Sequence, residues 1–209
     1  MDPKPGPLLV VEDVPDTLAL VELTLKFKGY RVITATNGQE ALEAIKKERP
    51  SVIITDILMP RMDGFSLVHQ LRIDPDTRDI PVIFLSATYV SLEDKTFAIA
   101  IGVTEFIEKP IDIEDLLRAI EELQAQRMPT VHEPLEERAF YEGYYQRLGM
   151  KLQQKISQIA RIEGMLETLS DKEKQAFEVS RQNVIQERDD IQRLIDQIHA
   201  RLAGFDKPK

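Results

Sequence analysis

The chain has 209 residues, 43% of them hydrophobic and 30% charged, with a formal net charge of −9. That is long enough for one full α/β domain plus a smaller appendage, and the acidic balance argues against nucleic acid as the main partner, because phosphate backbones reward basic surfaces. The absence of cysteine excludes disulfides, thiolate metal sites and thiol nucleophiles.

The stretch Met1-Asp2-Pro3-Lys4-Pro5-Gly6-Pro7 lacks the charged-then-apolar pattern of a signal peptide, and no apolar run reaches membrane-spanning length. A cytoplasmic protein that does not enter a membrane is expected. Leu8 to Val11 is a first strand, and Pro15-Asp16 opens a helix whose Leu18, Val21 and Leu25 recur at helical spacing until Gly29 ends it. Arg31 to Thr34 reads as a second strand, and Asn37-Gly38 as a turn that caps a helix over residues 39–48. Ser51 to Thr55 is a third strand. Met59 to Gly64 is a turn, followed by a helix carrying Phe65, Leu67, Val68 and Leu71. Ile80 to Leu85 is the fourth strand, with a helix from Leu92 to Ile101 stopped by Gly102. Glu105 to Ile107 is a short fifth strand, and Asp112 caps a helix ending near Arg127.

Short apolar runs bounded by polar turns are the mark of buried parallel strands, and their alternation with helices predicts a doubly wound five-stranded sheet. In such a sheet, ligands gather at the carboxyl ends of the strands. Glu12 and Asp13 follow the first strand, Asp56 the third, and Lys109-Pro110 the fifth. The flavodoxin-like order, with the first and third strands adjacent, brings the three acids together. Carboxylates so close repel unless a cation lies among them, and oxygen-only ligands suit Mg²⁺.

The character changes at Met128-Pro129-Thr130-Val131-His132-Glu133-Pro134, where two prolines mark a linker over 128–134. Beyond it no strand signal occurs. A helical stretch from Leu135 to Leu169 carries an a/d repeat through Tyr145, Leu148, Leu152, Ile159, Ile162, Leu166 and Leu169, broken once by Lys155. Ser170-Asp171-Lys172-Glu173 matches a capping box that starts a second helix, where Phe177, Val184, Ile191, Ile198 and Phe205 recur every seven residues. Arg181 and Arg188 occupy d positions. Two such helices joined by a tight turn predict an antiparallel hairpin over 135–209, with an apolar face left for a partner. The expected organisation is a domain over 1–127, the linker, and this hairpin.

Residues 6–127 resemble the receiver domain of bacterial two-component response regulators. The resemblance rests on Glu12-Asp13, Asp56, Met59-Pro60-Arg61-Met62-Asp63-Gly64, Ser86-Ala87, and Phe106 with Lys109-Pro110, in order and at the matching strand ends. It implies that Asp56 accepts a phosphoryl group from a histidine kinase or phosphotransfer protein. It implies Mg²⁺ held by Asp13 and Asp56, with Glu12 acting through water and the Leu58 backbone carbonyl completing the set. Lys109 would pair with the new phosphate and the Ser86 hydroxyl would move to bond it. Phe106 would swing inward behind Ser86, and the Lys109–Pro110 bond would be cis. The receiver would then promote only its own phosphorylation and dephosphorylation, with no further enzyme activity.

For output, the heptad hairpin points to homodimerisation or to docking on partner helices, biased by phosphorylation of Asp56. An RNA antitermination-type or DNA-binding helical output is the competing reading. The nearly balanced charge of residues 130–209 and the absence of a basic patch weigh against it. No cyclase signature, phosphate-cradling glycine loop or kinase nucleotide site occurs in the tail. A haloacid-type phosphotransferase wants a second acid two residues after the nucleophile, and position 58 is leucine. His132 and His199 lie in no recognisable phosphotransfer motif and read as solvated side chains.

Overall fold

The computed structural model describes residues 6–86, 92–125, 135–167 and 171–205. The chain divides into two compact units, Met1–Leu135 and Glu136–Lys209. The first holds strands β1 (Leu8–Val11), β2 (Val32–Ala35), β3 (Val52–Asp56), β4 (Val82–Ser86) and β5 (Glu105–Glu108). Between and after them run helices α1 (Pro15–Phe27), α2 (Gly38–Lys47), α3 (Gly64–Ile73), α4 (Leu92–Ala100) and α5 (Ile113–Ala125). All pairings are parallel and the order is β2-β1-β3-β4-β5, so β1 and β3 are neighbours as the flavodoxin-like expectation requires.

The inner strands β1, β3 and β4 are buried on both faces because helices cover both, whereas the edge strands β2 and β5 keep exposed positions. On one side, Leu8, Val10, Ile54, Ile83 and Leu85 pack with Val21 and Leu25 of α1 and Leu116 and Ile120 of α5. Elsewhere in the unit, Phe65 of α3 meets Phe84 of β4 edge-on at 5.3 Å and Phe97 of α4 at 5.5 Å. β2 starts and ends one residue later than the sequence suggested. Val32 takes the place opposite Leu8, while the exposed side chain of Arg31 pairs with Glu48.

Turn chemistry locates the helices. Gly29 and Gly102 lie in the left-handed region at φ +90° and +97°, the conformation that ends α1 and α4. Asn37 accepts hydrogen bonds from the amides of Gln39 and Glu40, capping α2. Asp112 does the same for Glu114 and Asp115 at α5. Asn37→Ala is expected to destabilise the domain by about 1 kcal/mol, read as a lowered urea midpoint with an unchanged slope.

The second unit is an antiparallel hairpin of α6 (Glu137–Leu166) and α7 (Asp171–Phe205). Its direction is visible in the cross-pairs. Glu137 meets Arg201, Tyr141 meets Phe205, Lys155 meets Glu187, and Glu163 meets Arg181. Ile159, Ile162 and Val184 form a small core with Leu166 and Phe177. Lys155, the break in the repeat, reaches across to the other helix as an ion pair. One seam position is corrected. Tyr145 is 37% exposed, whereas Phe140, Tyr144 and Leu148, spaced four apart on one face, are fully buried. Tyr145 lies one residue, about 100°, round from Tyr144. His199 is exposed, its ring 6.1 Å from that of Tyr145. The linker 128–134 with His132, Leu169 and the Ser170 capping position fall outside the described residues.

Candidate functional site

Parallel pairing of β1 with β3 sets Val11 opposite Thr55, so the residues that follow, Glu12 and Asp56, leave the sheet side by side. Glu12, Asp13 and Asp56 offer carboxylate oxygens that all lie within 4.8 Å of one another. Glu12 is buried, while Asp13 and Asp56 are half-buried. The Glu12 carboxylate is fixed from two sides, accepting from the Val14 amide at 3.3 Å and from Lys109 Nζ at 2.7 Å. Lys109 Nζ also lies 3.1 Å from Asp56 Oδ1, so one ammonium bridges two acids.

Lys109 reaches this point because its main chain is held. Its amide donates to the Ser86 carbonyl at 2.7 Å, and the Lys109–Pro110 bond is cis, as the resemblance implies. Ser86, the last residue of β4, is buried, and its hydroxyl has no hydrogen-bond partner among the described residues. A buried hydroxyl without a partner is costly, and such groups concentrate where a ligand supplies the missing bond. Phe106 on β5 is half-buried and stands edge-on to Phe84 at 5.5 Å. Leu58 lies two residues beyond Asp56 in the loop after β3 and is 36% exposed.

Burial drives the Asp56 carboxyl up to about 6, and the nearby Glu12 charge adds to the rise, while Lys109 pulls against both. For Lys109, burial alone would lower its affinity for a proton. Asp56 and Glu12 outweigh that and hold it above its ordinary value.

Two supporting residues were not given roles by sequence reasoning. Asp63 caps α3, accepting from the Ser66 amide at 2.9 Å. Gly64 donates its amide to Ile57, and a Cβ on Gly64 would stand 2.5 Å from the Asp56 carbonyl oxygen. The Asp-Gly pair ahead of an apolar periodic run was the available signal. Gly38 plays a similar part for the same loop, its amide bonding the Met62 carbonyl with no room for a side chain.

The family profile of the response regulator receiver domain matches residues 8–121, more than half of the chain. The chain belongs to that family. Among curated relatives of the receiver, an uncharacterized 14.6 kDa protein of Leptolyngbya boryana is 36% identical over 115 residues, 55% of this chain and 87% of its own. The Escherichia coli transcriptional regulatory protein GlrR is 37% identical, with 64% of this chain and 29% of GlrR aligned. The probable transcriptional regulatory protein TcrX of Mycobacterium tuberculosis is 31% identical, with 56% and 48% aligned. The chain thus spans less than half the length of either named regulator. Among solved structures, a putative response regulator from Chloroflexus aurantiacus is 34% identical with a TM-score of 0.54, covering 59% of this chain and 100% of that one. The Vibrio cholerae chemotaxis protein CheY4 gives 35% and 0.54, covering 57% and 98%. The receiver fold is thereby shared with structures of the same family, and the sheet with its flanking helices matches theirs. Among the described residues, no helix is long and apolar enough to cross a membrane.

Proposed function

We propose that the receiver is a phosphorylatable switch whose phosphoacceptor is Asp56 and whose donor is a histidine kinase or phosphotransfer protein. The observation that carries this reading is the gathering of the Glu12, Asp13 and Asp56 carboxylates, with the Lys109 ammonium bridging Glu12 and Asp56, in the same unit as the buried Ser86 hydroxyl that has no hydrogen-bond partner among the described residues. The donor set suits Mg²⁺, being three carboxylates with no sulfur or nitrogen ligand. Asp13 and Asp56 would hold the ion, with Glu12 acting through water and the Leu58 carbonyl as a further oxygen. Bound there, Mg²⁺ offsets the charge of the phosphoryl oxygens.

In the transfer, an Asp56 carboxylate oxygen attacks the phosphorus in line. The oxygen–phosphorus bond forms as the nitrogen–phosphorus bond of the donor histidine breaks. Lys109, already within 3.1 Å of Asp56, turns from that carboxylate to the phosphate without leaving the site. Ser86 donates its free hydroxyl to a phosphate oxygen. The displaced Ser86 side chain leaves space behind it, and Phe106 rotates off Phe84 to fill it. Phe106 lines a groove along β5 with Lys95, Glu108, Asp115 and Arg118, so the rotation alters a surface shared by α4, β5 and α5. The helical hairpin carries the output, by self-association or by docking on partner helices.

Acetyl phosphate with Mg²⁺ should label the protein once, at Asp56. Beryllofluoride with Mg²⁺ should change the mass seen by light scattering or the affinity for the helical partner. Label at another residue sinks the assignment of Asp56, and an unchanged mass and affinity sinks the coupling to the hairpin.

A further inference from the structure

Along α6, Tyr145, Gly149, Leu152, Ile156 and Ala160 recur at steps of four, three, four and four, which places them on one stripe. The stripe is not the seam with α7. At 100° per residue its centre lies about 90° from the line through Leu148, Lys155, Ile159 and Ile162. It is open: Tyr145 is 37% and Ile156 42% exposed, Ala160 is exposed, and Leu152, a seam position on the near edge of the stripe, is half-buried. A Cβ built on Gly149 meets nothing within 4 Å. Two helix faces at right angles are what each helix of a four-helix bundle presents to its two neighbours.

We propose that this stripe packs against the same stripe of a second copy, α6 antiparallel to α6 about a two-fold axis between residues 152 and 153. The inference rests on the reading of the hairpin as a self-associating output and names its interface. The sizes of the side chains commit it to a second copy. An axis at that point sets Tyr145 against Ala160 of the other copy, Gly149 against Ile156, and Leu152 against Leu152 and Gln153. Tyr145 and Ile156 each meet a small residue, twice over by symmetry, and Leu152 meets its own counterpart at the axis, as an isologous interface requires. The helix glycine, which costs about 1 kcal/mol relative to alanine, then has a purpose, since it is the hole for a partner isoleucine. The charges at the rim agree. Arg138 and Glu167 continue the stripe at its two ends and face each other across the axis. Glu142 and Glu163, the like pair next to them, each hold an arginine of their own chain, Arg138 and Arg181.

The full chain is tested by sedimentation, with dimer expected. Gly149→Leu fills open space within one copy but collides with Ile156 of the other. It should leave the helix content and thermal midpoint unchanged or raised, yet weaken dimerisation by about 30-fold or more. Adding Ile156→Gly restores the size match and should recover the dimer. The chain has no native cysteine, so spin labels at Gln154→Cys and Met165→Cys report direction. At 1.5 Å per residue the axial separation between copies is about 5 Å at 154 and about 38 Å at 165. A monomeric wild type, a dimer indifferent to Gly149→Leu, a double variant that stays monomeric, or equal label distances overturns the proposal. None of these readouts depends on phosphorylation, so loss of label at Asp56 would count against the switch alone.

Discussion

Asp56→Asn is expected to abolish labelling by acetyl phosphate, a loss of at least about 100-fold, and at the same time to make the protein more stable in EDTA at neutral pH. The first effect is the removal of the nucleophile, since an amide oxygen offers no anionic attack on phosphorus. The second follows from burial. The carboxyl titrates near 6 in the folded chain against an ordinary value of 3.8, so the folded state binds this proton more tightly than the unfolded one. Stability from this group is therefore complete below about pH 4 and declines as pH rises towards 6. Above that it stays low, by roughly 3 kcal/mol for a shift of two units. Asparagine carries no such charge. The variant should gain about 1–3 kcal/mol in urea unfolding at pH 7.5 and lack this part of the decline between pH 4 and 6. Mg²⁺ should then protect wild type far more than the variant, because a bound cation relieves the repulsion that the substitution has already removed. Equal protection of both proteins would mean that Asp56 is not among the ligands.

The same residues explain how far the sequence alone could go. The order of the strands and the meeting of Glu12, Asp13 and Asp56 were legible, because short apolar runs force strands inside and parallel topology then dictates which ends adjoin. Lys109 was legible from its place after the fifth strand, and its pairing with a phosphate came from the resemblance. The structure adds that its amide is tied to Ser86 and its ammonium is shared between two acids. Gly64 was hidden, since its role is a close approach to the Asp56 carbonyl that no periodicity encodes. In the hairpin, the heptad pattern located the helices but misplaced Tyr145. Aromatic residues at 140, 141, 144 and 145 satisfy more than one register, and only packing decides between them.

Lys109→Ala should be the most damaging single truncation at the site, and its defect should be reparable by Mg²⁺. The lysine side chain is 25% exposed, but Glu12 beneath it has no exposed side-chain surface, and Asp56 retains only 15%. Deleting the ammonium leaves two carboxylates, whose oxygens lie within 4.8 Å of each other, with no cation between them. Breaking a buried pair in this way typically costs 3–5 kcal/mol, most of it the desolvation of the charge left behind. A fall of about 3 kcal/mol in EDTA is expected from urea unfolding. A divalent ion supplies the missing charge, and at a hundred times its dissociation constant it returns about 2.7 kcal/mol. Because Lys109 competes with a cation for Asp56, the variant should also bind Mg²⁺ more tightly than wild type. Acid offers a second repair, since Asp56 takes up a proton near pH 6 and ceases to repel Glu12, although loss of the lysine itself raises that value further. Phosphorylation separates this electrostatic role from the switch. Mg²⁺ restores the fold of Lys109→Ala but not the ion pair to a phosphate on Asp56. The labelled variant should therefore show normal stability with no phosphorylation-dependent change in assembly. A variant as stable as wild type in EDTA would show that the bridge between Glu12 and Asp56 contributes nothing to the fold.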